Sequence, residues 1–198
     1  MYLCKNILYN TDSVPRKGVL WCNNKLNCIN IVILASNKVS SNQMRYKLYR
    51  EQQLTCDMDT AWAFFSSPMN LSEITPKDMG FVVTSDCDQQ EIFEGMIIDY
   101  LVSPILRFPL KWKTKITQVE KNKSFTDFQL KGPYAYWNHF HEFIPNENGV
   151  LMKDRVDYEL PLGILGTIAH GIFVKRKLER IFDYRHQVLE KLFNQTQN

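Results

Sequence analysis

Hydrophobic and polar positions repeat with two different periods along this chain. From Met44 the run Met-Arg-Tyr-Lys-Leu-Tyr-Arg-Glu-Gln-Gln-Leu alternates as an amphipathic strand does. Asp57 or Asp59 then caps a helix with Ala61, Trp62, Phe64 and Phe65 on its buried side. It ends near Ser67-Pro68, because proline disfavours helix in the residue before it. A second short helix is predicted from Asn70 to about Thr75, stopped by Pro76. The period then changes to two, and strands are predicted over 81–83, 96–102, 112–119, 125–130, 136–144 and 150–160, separated by Gly, Pro, Asn and Asp turns. From Pro161 to Phe193 helical spacing returns. Ile164, Ile168, Ile172, Leu178, Phe182 and Leu189 lie on one face, joined by Ile181, Val188 and Leu192, opposite the charges.

The order strand, two helices, six strands, helix predicts an α+β fold. A meander with one apolar face must bury that face, and one long amphipathic helix laid across it is a sufficient partner. If the sheet of about seven antiparallel strands curves around the helix, the two surfaces part and leave a cavity between them.

Composition changes this picture at the N-terminus. Residues 1–43 hold Cys4, Cys22 and Cys28 and eight asparagines, with Asp12 as their single acid. They also carry five of the 24 basic residues, so the remainder has 19 basic against 20 acidic residues and a net charge of −1 rather than +3. The basic balance therefore belongs to the leader and gives no argument for nucleic-acid binding. We expect 1–43 to be an atypical extension, disordered or untranslated, with Met44 as the natural start and one domain over 44–194. Five cysteines without a CxxC pair indicate neither a disulfide framework nor a thiolate zinc site. No apolar run is long enough for a membrane span, and a cytoplasmic location is the expectation.

Candidate chemistry concentrates on the strand at 136–144, where alternation places Trp137, His139, His141 and Phe143 on one face. If that face looks inward, two imidazoles enter the cavity, where burial would lower their pKa values and keep them neutral. The alternative is a pair of hydrogen-bonded structural histidines near the rim. A His-x-His pair on a strand is also a metal motif, but it needs a third ligand. Asp154 and Asp157 are candidates at no fixed distance, and His170 and His186 have no partner four residues on. No metal and no cofactor are therefore expected. Tyr100 shares a face with Ile98 and Val102, and Trp112 with Thr114 and Ile116, while Lys111, Lys113 and Lys115 point to water. Of Asp157 and Tyr158 the tyrosine is expected inside. Tyr100, Trp112, Trp137, His139, His141 and Tyr158 form the predicted ligand-binding set, since Tyr and Trp supply apolar area with one polar tip. Lys175, Arg176 and Lys177, with Arg180 and Arg185, form either a solvated helix face or a surface for transient contact with anionic lipid.

A group of motifs spanning about 44–193 resembles the SRPBCC superfamily of START-like, Bet v 1-type helix-grip domains. They are Ala61-Trp-Ala-Phe-Phe-Ser-Ser-Pro-Met-Asn-Leu, Gly95-Met-Ile-Ile-Asp-Tyr, Trp112-Lys-Thr-Lys-Ile-Thr, Trp137-Asn-His-Phe-His-Glu-Phe, Met152-Lys-Asp-Arg-Val-Asp-Tyr-Glu-Leu-Pro-Leu-Gly and Ile181-Phe-Asp-Tyr-Arg. The likeness is greatest to bacterial polyketide cyclase and coenzyme Q-binding START-like proteins often labelled cell-division inhibitors. It implies the helix-grip fold and an apolar pocket, but no single chemistry. Three functions stay open. The first is a non-catalytic carrier, chaperone or sensor of a lipid-, isoprenoid- or polyketide-like molecule. The second is a cyclase- or hydratase-like enzyme using His139 or His141 as acid or base. The third is a cell-division regulator acting through a protein partner.

Overall fold

The computed structural model describes residues 44–87, 91–103, 108–161, 167–168 and 170–195. The expected extension at 1–43 and the predicted helical position Ile164 lie outside them.

Seven strands build one antiparallel sheet: β1 (Tyr46–Leu54), β2 (Val82–Val83), β3 (Ile97–Val102), β4 (Leu110–Glu120), β5 (Ser124–Lys131), β6 (Tyr136–Asn146) and β7 (Gly149–Glu159). Their spatial order is β1-β7-β6-β5-β4-β3-β2, so the meander from β2 to β7 is closed by β1 returning to pair with β7. Two register shifts in the β4–β5 pairing, at Lys113/Thr114 and Ile116/Gln118, are the irregularities by which a sheet bends. The hairpin joining β6 to β7 turns tightly enough that Asn146 pairs with Gly149. Gly149 has φ +116°, and a Cβ there would stand 2.2 Å from the Leu54 carbonyl oxygen, so no other residue fits this approach to β1.

Between β1 and β2 the chain forms α1 (Met58–Phe65), whose N-cap is Asp57: its carboxylate accepts from the Thr60 amide at 2.7 Å. The predicted second helix at 70–75 takes another form. Two 3₁₀ turns, Pro68–Ser72 and Lys77–Met79, replace it, with Pro76, which cannot donate and disfavours helix at Thr75, between them.

The C-terminal helix α2 (Lys175–Leu189) turns Leu178, Phe182, Arg185 and Leu189 onto the sheet. A wide π-type turn precedes it at His170–Val174 and another follows at Glu190–Asn194. The extra residue in the first of these turns shifts the phase of everything before it. Ile168 and Ile172, predicted on the buried face, are consequently 54% and 71% exposed, and Leu192 is exposed as well. Gln52 of β1 donates to the His186 carbonyl at 3.0 Å and Asn194 donates to the Gln53 carbonyl at 2.8 Å, which ties the helix end to the sheet edge. One packing cluster joins Trp62, Phe65, Phe143, Met152 and Leu189, and a second joins Leu48, Trp137, Val156, Leu178 and Phe182. No helix among the described residues is long and apolar enough to cross a membrane.

Candidate functional site

Between the sheet and α2 lies a cavity of about 390 Å³. Its walls are mostly apolar: Phe65, Ile98, Ile116 and Phe125 on one side, Leu178 and Phe182 on the other. Tyr100, Trp112, Trp137, His139 and His141 all border it. Tyr158 does not. It stands opposite Tyr46 in the β1–β7 ladder, toward the sheet edge, buried with its hydroxyl 2.8 Å from His170 Nε2. The Trp112 indole donates to Thr114 Oγ1 at 3.0 Å, and its ring meets Trp137 edge to face. Burial pushes the Tyr100 hydroxyl far above its ordinary pKa, so it stays neutral.

The polar part of the cavity is assembled by strand register. Inward alternation on β6 presents Trp137, His139, His141 and Phe143, all buried. Asp127 of β5 is the ladder partner of His139, and Asp154 of β7 is the ladder partner of His141. Because all four project from the same face, two imidazoles stand side by side, ring centroids 3.7 Å apart, between two carboxylates. His139 Nε2 donates to Asp154 Oδ1 at 2.9 Å, and its Nδ1 is 3.5 Å from Asp127 Oδ2. His141 Nε2 donates to the same Asp127 oxygen at 3.1 Å. Its Nδ1 is 2.8 Å from Asp154 Oδ1 but out of line, and so has no hydrogen-bond partner. From α2, Arg185 Nη1 donates to Asp154 Oδ2 at 3.2 Å. Phe125 stacks on His141 at 4.1 Å, and Phe182 meets His139 edge-on at 5.7 Å.

These neighbours set the charges. Burial opposes ionisation of Asp154, but Arg185 and the two imidazoles outweigh it and hold the carboxyl well below its usual range. Asp127 is likewise lowered against burial, by the His141 hydrogen bond and the nearby cations. Burial and the neighbouring His141 lower His139. His141 departs from the expectation that burial would neutralise both rings. Burial lowers it too, but its contacts with Asp127 and Asp154 prevail and raise it. With His141 protonated, two carboxylates are balanced by one imidazolium and one guanidinium, and the buried cluster is neutral.

Sequence reasoning placed the histidines on one strand face but missed Asp127 and misassigned Arg185. Asp127 follows Phe125 by two and so falls at an inward position of its strand. Arg185 follows Phe182 by three and precedes Leu189 by four, on the apolar stripe rather than the solvated face, and is only 9% exposed. Lys175 and Arg176 are exposed, whereas Lys177 turns inward to within 3.8 Å of Asp78 and borders the cavity.

No protein-family model matches the sequence, and no curated protein matches it. Solved structures do match in fold. A protein of Mycobacterium smegmatis aligns with TM-score 0.57 at 10% identity, covering 77% of this chain and 93% of its own. Ginseng major latex-like protein 151 from Panax ginseng aligns with TM-score 0.55 at 14% identity, covering 76% of this chain and 98% of its own. Truncated norcoclaurine synthase from Thalictrum flavum aligns with TM-score 0.54 at 15% identity, covering 78% of this chain and 97% of its own. At such identities the likeness speaks for architecture alone, and with the seven-stranded antiparallel sheet and the long C-terminal helix it identifies the fold as Bet v 1-like helix-grip.

Proposed function

We propose that the protein binds a mainly apolar small molecule, of lipid, isoprenoid or polyketide type, in the cavity between sheet and helix, as a carrier, chaperone or sensor. The supporting observation is an apolar-walled cavity with one polar cluster on its sheet side, Asp127 with His139 and His141. Apolar walls supply affinity, and a few converging polar groups fix orientation. The test is native mass spectrometry followed by organic extraction of protein from its own host, repeated on Ile116→Trp, which fills the cavity. A near-stoichiometric apolar molecule that is absent from the variant supports the reading. An empty wild-type protein that also fails to bind a hydrophobic dye overturns it.

A second reading, an acid–base enzyme of cyclase or hydratase type, is favoured by one specific feature. His139, shifted toward the neutral form, and His141, shifted toward the protonated form, stand side by side at the cavity, which is the pairing that proton transfer to and from a bound substrate requires. Norcoclaurine synthase, an enzyme by name, shows that the fold accommodates catalysis. His141→Gln distinguishes the two readings: loss of turnover with ligand affinity retained supports the enzyme, and equal loss of both supports simple binding.

A further inference from the structure

The geometry points to a metal site: we propose that Asp127 Oδ2, His139 Nδ1 and His141 Nε2 hold a divalent first-row transition ion, of the zinc or ferrous class, at the sheet side of the cavity. The donor atoms of these three residues lie within 4.8 Å of one another. Asp127 Oδ2 is 3.1 Å from His141 Nε2 and 3.5 Å from His139 Nδ1. Bonds of about 2.0–2.2 Å at tetrahedral angles put neighbouring donors about 3.4 Å apart, so both separations already approximate edges of a coordination polyhedron. The donor set, two imidazoles and one carboxylate, suits zinc or iron rather than calcium or magnesium.

What lies behind the histidines carries the inference further. A metal-bound imidazole needs its remaining N–H held by a carboxylate or carbonyl, which fixes ring orientation. Here one oxygen of Asp154 stands 2.9 Å from His139 Nε2 and 2.8 Å from His141 Nδ1, and Arg185 fixes the other oxygen. His141 Nδ1 is buried without a hydrogen-bond partner, an unusual state for a buried nitrogen. A small rotation of that ring aligns Nδ1–H with Asp154, and release of the Nε2 proton to solvent as the ion binds gives the Nε2 lone pair to the metal. Asp127 serves the histidines from the cavity side and Asp154 from behind, the division between a ligand and its support.

With both imidazoles neutral, the two carboxylates and Arg185 sum to −1, and a dication brings the cluster to +1. The position left open faces an apolar cavity, where a single positive charge selects an anionic oxygen. The favoured occupant is thus an apolar molecule ending in a carboxylate or enolate, a refinement that rests on the ligand-binding reading above. The metal site itself does not.

The experiment titrates Zn²⁺, and separately Co²⁺, into chelator-treated full-length protein. Calorimetry should show saturable one-to-one binding, and Co²⁺ the intense visible absorption of a four-coordinate site. Asp127→Asn should weaken affinity by more than about 100-fold, because it removes a ligand, and Asp154→Asn by about 10–100-fold, because it removes a support. His186→Gln, an exposed histidine off the site, should change nothing. NMR of the wild-type rings needs no variant: Zn²⁺ must shift the His139 and His141 signals together. Unmoved rings, or affinity unchanged by Asp127→Asn, overturn the site. Because metal alone is the probe, that result would leave the apolar-ligand reading standing.

Discussion

Asp154 and Asp127 bracket the same two imidazoles from opposite sides, and the two sides are built differently. Asp154 has no exposure, accepts from Arg185 and His139, and is shut in under α2. Asp127 keeps 21% of its side chain open, borders the cavity, and among the described residues has no guanidinium bonded to it. Two residues of one type, each directly across a ladder from a histidine, therefore do different work. The rear carboxylate holds a buried charge in balance, and the front one offers its charge to whatever enters.

The largest effect should come from removing the rear group. Asp154→Ala leaves Arg185 buried without its counter-charge and His139 Nε2 without its acceptor, and truncating one partner of a buried ion pair costs about 3–5 kcal/mol. Asp127→Asn keeps an acceptor for His141 and a similar volume, and should cost about 1 kcal/mol. Urea unfolding of the two variants reads the difference. Equal losses would dissolve the distinction between front and rear.

Next in size is the pH dependence, where the rear carboxylate and the two imidazoles titrate in different senses. Asp154 is depressed in the folded state. Its stabilisation is complete above the unfolded value of about 3.9 and is lost as pH falls toward its folded value. His141 is raised, so its contribution is complete below the unfolded value of about 6.5 and disappears as pH rises through its folded value. His139 is lowered and acts in the opposite sense, opposing folding at low pH and ceasing to do so as pH rises. The stability advantage of wild type over His141→Gln should therefore shrink as pH rises above about 6.5. Ring NMR should find His141 titrating above the ordinary histidine value and His139 below it. Two rings titrating together at that ordinary value would remove the electrostatic part of the comparison.

How far this site could be read in advance depended on which contacts are local. Alternation within one strand sufficed for β6, because Trp137, His139, His141 and Phe143 share a face whatever surrounds them. Helical spacing likewise exposed Leu178, Phe182 and Leu189 as one stripe. Alternation from Phe125 gives Asp127 an inward position, but its place opposite His139 was not legible, because that is a register between two strands joined by the connection at 132–135. Arg185 sat on the readable stripe but was masked by its charge: a lone cation on an apolar face identifies itself only when Asp154, 31 residues away, is known to lie beneath it. Ile168 and Ile172 were misplaced for a backbone reason, since a π-type turn has no counterpart in a pattern that assumes 3.6 residues per turn.

The smallest effect concerns what the rear requires of its cation. Arg185 makes a single bond to Asp154, Nη1 to Oδ2 at 3.2 Å, rather than a two-pronged fork, and its guanidinium also lies 5.4 Å from the centre of the Phe182 ring. If Asp154 needs a positive charge more than a planar group, Arg185→Lys should lose about 1 kcal/mol in urea unfolding, far less than Asp154→Ala. The depressed carboxyl should also persist, visible as an acid midpoint close to that of wild type. A loss as large as that of Asp154→Ala would mean that the guanidinium's shape and its packing on Phe182 hold the rear together. The front–rear contrast would then be one of fit between helix and sheet rather than of charge.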